Sequence, residues 1–152
     1  MGASEGEKAP YFRVTSGSNE VLTSDMIRGK IAVVFYETKD TIERNRPLKK
    51  ELNAFYAKMP RADQDRIIKV AVIRCSAFMP VIWRRNLREH SKKEGITIYG
   101  DWEGSMERDY GMKADESNFL IIDKAGIVRM RRAGAISADD FHNIEDLIND
   151  LK

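Results

Sequence analysis

The residues Gly29 to Leu52, GKIAVVFYETKDTIERNRPLKKEL, constrain the fold more than any other stretch. Ile31 to Tyr36 is an unbroken apolar run of β-branched and aromatic side chains, the pattern of a strand covered on both faces. The chain then turns polar and resumes with Leu48, Leu52, Phe55 and Tyr56 at helical spacing, while Lys49, Lys50 and Lys58 take the wet side. A buried strand running through a loop into an amphipathic helix is a βα unit. The helix start offers free backbone N–H groups and partial positive charge, a common seat for chemistry. Here the junction reads Glu37-Thr38-Lys39-Asp40-Thr41-Ile42-Glu43, with no Cys, no His and no glycine-rich loop.

The remaining elements arrange themselves around that unit. Residues 1–10 read as a flexible lead-in, and 11–152 as one domain. Tyr11–Val14 and Glu20–Leu22 are strand candidates joined by the turn Ser16-Gly17-Ser18-Asn19. Thr23-Ser24-Asp25 caps one helical turn ending at Arg28-Gly29. The first long helix is expected from about Thr41 to Lys58, stopped by Pro60, with Pro47 kinking or restarting it. Ile67–Ile73 reads as a central strand, with Cys75 just past its end. A helix follows at Val81–Lys93, then Ile96–Tyr99 as an edge strand and Ser105–Tyr110 as a helical turn. Phe119–Ile122 and Ile127–Met130 form a hairpin across Asp123-Lys124-Ala125-Gly126, and Ser137 starts the last helix, with Phe141, Ile144, Leu147 and Ile148 inward. Crossovers first and an antiparallel hairpin last predict a mixed central sheet with helices on both faces.

Composition narrows the function. The chain has 152 residues, 42% hydrophobic and 33% charged, which suits one globular domain. A net charge of +2 gives no general attraction to nucleic acid or an anionic membrane. The single cysteine excludes an intrachain disulfide and a multi-cysteine metal site. No apolar run reaches the ~20 residues that span a bilayer. The polar start, MGASEGEK, has no apolar signal core. It fits a cytosolic start or a chain beginning after a removed export signal.

Gly29 to Tyr36 and the hairpin segment Phe119 to Val128 resemble the thioredoxin superfamily in its extended peroxiredoxin-like or TlpA-like form. The implied fold is α/β: a thioredoxin-like three-layer α/β/α sandwich with a mixed central sheet and an N-terminal β-hairpin extension. Thr38 to Asn45, Glu116-Ser117-Asn118 and Gly134 to Asp140 are more similar to the YtfJ family, thioredoxin-like bacterial proteins without the cysteine pair. That resemblance spans about residues 10–151. It implies an exported, periplasmic protein of unestablished biochemistry.

Against the redox branch, the chain departs twice. Asp40-Thr41-Ile42-Glu43 lies where Cys-x-x-Cys falls, and Ser117 or a neighbour lies where the cis-proline falls. Thiol exchange needs an attacking thiolate and a second, resolving sulfur, and neither is available there. A non-proline cis bond costs about 2.5–4 kcal/mol, so a trans loop is expected.

The candidate site is therefore a groove at the helix mouth, lined by Thr38, Asp40, Thr41, Glu43, Arg44, Glu116 and Ser117, for a protein segment or a small ligand. Asp40 and Glu43 have capping-box spacing, or could form a catalytic carboxylate pair; the cap fits better, because nothing supplies a nucleophile or metal partner. Cys75 is either a buried inert thiol or the lone reactive thiol of a one-cysteine oxidoreductase or peroxidase. His90 and His142 lack metal-ligand spacing, and no cofactor motif is present. Arg129 and Arg131 read as the solvent face of a strand, and Arg84, Arg85 and Arg88 as that of a helix. Trp83, Tyr99, Trp102 and Tyr110 read as core packing. Neither nucleic-acid binding nor membrane insertion is expected.

Overall fold

A computed structural model describes residues 2–152. Its elements are β1 (Arg13–Ser16), β2 (Val21–Thr23), α1 (Ser24–Ile27), β3 (Ile31–Glu37), α2 (Arg46–Ala57), α3 (Arg61–Gln64) and β4 (Ile67–Arg74). They continue with α4 (Pro80–Glu94), β5 (Ile98–Asp101), α5 (Ser105–Tyr110), β6 (Asn118–Ile122), β7 (Val128–Ala133) and α6 (Ala138–Leu151). The seven strands form one mixed sheet in the order β2-β1-β5-β4-β3-β6-β7. β3 is parallel to β4 and antiparallel to β6, and it is buried at every position.

The strand alternation divides the core into two faces. Ala32, Val34 and Tyr36 point into a cluster with Val70, Val72, Leu120, Met106 and Tyr110, under α1, α5 and the N-terminal segment. Val33 and Phe35 point the other way, into Leu48 and Leu52 of α2 and Ile144 and Ile148 of α6. Leu87 seats α4 on this second face, beside Ile73, Ile98 and Cys75. The expected three layers and mixed sheet are present, and the β1–β2 hairpin joins through β5. Among the described residues, no helix is long and apolar enough to cross a membrane.

Four expectations need correction. The helix expected from Thr41 starts at Arg46, with Pro47 in its first turn. Proline's missing N–H costs nothing in the first turn, and its ring disfavours helix just ahead of it, so Pro47 sets the start instead of kinking an interior. β5 is an interior strand between β1 and β4, not an edge, because the N-terminal hairpin covers its outer side. Residues 3–9, expected as a flexible lead-in, run along the β6–β7 hairpin. Gly6 N–H donates to Val128 O (2.7 Å), Val128 N–H to Glu7 O (2.9 Å) and Ala9 N–H to Gly126 O (2.8 Å), and Ala3 is 1% exposed.

Arg131 is the fourth. Ile121 pairs with Met130 and Ile122 with Val128, so a bulge leaves Arg129 unmatched. That extra residue moves Arg131 to the face of Leu120. Its guanidinium donates to Ala3 O (2.5 Å), Tyr110 O (2.6 Å) and Gly111 O (2.5 Å), fastening the N-terminal segment. Arg129 keeps the solvent side and pairs with Asp123.

Candidate functional site

Residues 38–45 form a chain of turns between β3 and α2. Thr38 N–H donates to Thr41 Oγ1 (2.8 Å), Thr41 N–H to Thr38 O (3.1 Å) and Arg44 N–H to Thr41 O (3.0 Å). Thr41, 1% exposed, reaches back to the Thr38 N–H within this turn and caps no helix, and its hydroxyl also reaches Glu116 O (3.4 Å). Asp40 is exposed, and Glu43 turns to Arg46, so the two carboxylates form no capping box. The helix begins after them, so its N–H groups are out of their reach.

Behind these turns lies a buried polar network that the sequence reading passed over. Glu37 ends β3 with 3% exposure. Its carboxylate accepts from Lys49 Nζ of α2 (2.6 Å) and from Ser117 Oγ (2.6 Å). Ser117, fully buried, accepts in turn from Asn45 Nδ2 (2.9 Å). Asn45 closes the circuit by donating to Gly134 O (3.1 Å) and accepting from Ile136 N–H (2.9 Å). One chain of hydrogen bonds thus ties β3, the start of α2, the loop before β6 and the loop before α6. Burial lifts the Glu37 carboxyl above its ordinary range, while Lys49 and Ser117 pull it back. An acid at the end of an all-apolar run was the available signal for this centre.

Ser117 directly precedes β6, and the described residues contain no cis peptide bond, as expected of that loop. Arg44 spans the loops on the outside, pairing with Glu116 Oε2 (3.2 Å). The structure therefore gathers Thr38, Thr41, Arg44, Glu116 and Ser117 and leaves Asp40 and Glu43 on the rim. Ser117 has a carboxylate beside its hydroxyl, but no solvent reaches it, so the arrangement holds loops together and cannot attack a substrate.

A second buried centre lies on the opposite face. Tyr36 OH donates to Asp101 Oδ2 (2.6 Å), which also takes Glu107 N–H (3.0 Å). Arg74 links Glu107 to the carbonyl of Asp101. Burial and the neighbouring Asp101 carboxylate push the Tyr36 phenol well above its ordinary range.

Cys75 follows β4, at the same end of the sheet as the helix mouth, and is 1% exposed. Its Sγ lies against Ile73 O (3.5 Å) beneath Gly100. A Cβ on Gly100 would come within 2.9 Å of that sulfur and 3.0 Å of Leu87, so only glycine lets β5 pass this close. Burial first, then Asp101, push the thiol up to about 12, against a smaller pull from Arg74. His90 is half-buried and His142 exposed, and no group of three metal-ligating side chains exists among the described residues. Trp102 is half-buried, donates to Thr15 O (3.4 Å) and lies under Arg84. Tyr110 is fully buried and bonds Pro10 O (2.7 Å).

No family model matches the chain, and no curated protein matches it. Solved structures do. A Chlorobium tepidum protein provisionally named thiol:disulfide interchange protein DsbE aligns over 99% of this chain and 99% of its own, at 19% identity and TM-score 0.73. The thiol peroxidase of Chromobacterium violaceum aligns over 99% and 88%, at 14% identity and TM-score 0.67. A peroxiredoxin-like protein of Aquifex aeolicus aligns over 100% and 90%, at 14% identity and TM-score 0.68.

The fold is thioredoxin-like. At these identities the likeness carries architecture alone. In this thioredoxin-like scaffold, the place between the first core strand and its helix holds Thr38–Asn45, and the chain's one thiol lies under β5.

Proposed function

We propose that this chain is a thioredoxin-superfamily protein of the YtfJ type that acts by binding, without thiol exchange, in the bacterial periplasm. One observation carries the reading: its only thiol is 1% exposed and held protonated by its surroundings. Reaction through sulfur requires an accessible thiolate, and a second sulfur to release the mixed disulfide. The binding surface is the exposed rim of the helix mouth, formed by Asp40, Glu43, Arg44 and Glu116, with Thr38, Thr41 and Ser117 beneath it. Its mixed charge suits a polar segment of a partner protein. The periplasmic assignment rests on the YtfJ resemblance of Thr38–Asn45, Glu116–Asn118 and Gly134–Asp140.

Insulin reduction and peroxide consumption test the reading, each with the wild type and Cys75→Ser. Background rates from both proteins are expected. Robust turnover that disappears in Cys75→Ser would overturn it in favour of a one-cysteine oxidoreductase.

A further inference from the structure

β4 lies between β3 and β5, yet one of its faces is not fully covered. Between α2 and the turn after α4 runs a trough of about 270 Å³. Phe35, Phe55, Tyr56, Ile73 and Ile96 give it apolar walls. Arg46 crosses from α2 to Glu94 (2.5 and 2.9 Å) and closes one end.

Lys69 stands on the floor, in mid-strand, and is exposed. A lysine on an edge strand protects the edge from further pairing, but β4 has partners on both sides, so that explanation does not apply here. The other two cations of the trough are matched, Arg46 by Glu43 and Glu94 and Lys49 by Glu37. Lys69 has no carboxylate partner among the described residues. Its ammonium meets only Asn53 Oδ1 (3.2 Å) and the face of the Tyr56 ring (4.2 Å). An unmatched positive charge in an apolar recess favours a ligand with one anionic end and an apolar body.

We propose that the trough binds a small amphiphilic anion, its carboxylate on Lys69 and its apolar body along Ala71 and Ile73. At about 30 Å³ per water-sized unit, the volume admits a ligand of roughly ten heavy atoms. The trough adjoins the helix mouth through Glu37, Ile42 and the Arg46–Glu43 pair, but its anion would be held by Lys69, so the proposal stands or falls apart from the loss of thiol chemistry.

Octanoate is the probe, titrated calorimetrically into the full-length protein, with octylamine and octanol as the cationic and neutral analogues. Saturable octanoate binding with no octylamine binding is expected. Lys69→Gln is expected to weaken octanoate by about tenfold or more, the loss of one charge-assisted contact, without changing octanol. Lys69→Arg is expected to restore it. Lys69 is exposed, so Lys69→Gln is expected to keep its far-ultraviolet circular dichroism. Absence of saturable octanoate binding, equal affinity in Lys69→Gln, or octylamine binding as tightly as octanoate would each overturn the proposal.

Discussion

Glu37 holds its carboxylate between Lys49 Nζ and Ser117 Oγ with almost no access to water. Burial dominates and raises the folded-state pKa above the unfolded one. The folded state then binds more protons than the unfolded chain, so this group's contribution is fully present below the ordinary carboxylate range. It is lost as pH rises through the folded value. Glu145, facing Glu51 across the α2–α6 contact, is raised by burial and by that neighbour and contributes with the same sign. Urea unfolding of wild type and Glu37→Gln between about pH 4 and 7 checks this. The stability of wild type relative to Glu37→Gln is expected to fall as pH rises across the window. The exposed apolar residues Phe78 and Val81 offer the contrast: replacing either with serine is expected to change stability by no more than about 0.5 kcal/mol in the same assay.

At the scale of elements, the Glu37–Ser117–Asn45 circuit replaces any covalent or helix-cap device at the helix mouth. Ser117→Ala removes a fully buried hydroxyl, leaving one Glu37 oxygen without its donor and Asn45 Nδ2 with only Gly134 O to accept from it. A loss of about 1–3 kcal/mol in chemical denaturation is expected. Little of this was legible in the residues. Ile31–Tyr36 and Phe119–Ile122 announced themselves as strands because burial on both faces demands unbroken apolar runs. Asn45, Ser117 and Gly134 carry no common local pattern, since they meet only after the sheet is assembled. The Asp40–Glu43 spacing was a capping-box pattern, overruled by Pro47, which sets the helix start at Arg46, five residues beyond the expected Thr41. Arg131 was misplaced for a similar reason: simple alternation cannot register a bulge at Arg129.

Across the whole molecule, the N-terminal residues complete the fold. They bond to the β6–β7 hairpin, cover Tyr110 and receive Arg131. Deleting residues 2–9 is expected to cost about 2 kcal/mol or more, lowering the melting temperature by roughly 5 °C or more in calorimetry. The layered architecture was legible from element order, while the place of β5 inside the sheet was not, because its interior position depends on the distant β1–β2 hairpin. The same assembly buries Cys75 beneath Gly100 and Leu87 while the helix mouth is held by hydrogen bonds. Alkylation of Cys75 by iodoacetamide in the native protein at about pH 8, followed by intact-mass spectrometry, measures that directly. The thiol is expected to stay unmodified for hours and to react within minutes once the chain is unfolded in guanidinium. Rapid labelling of the folded protein would contradict the account.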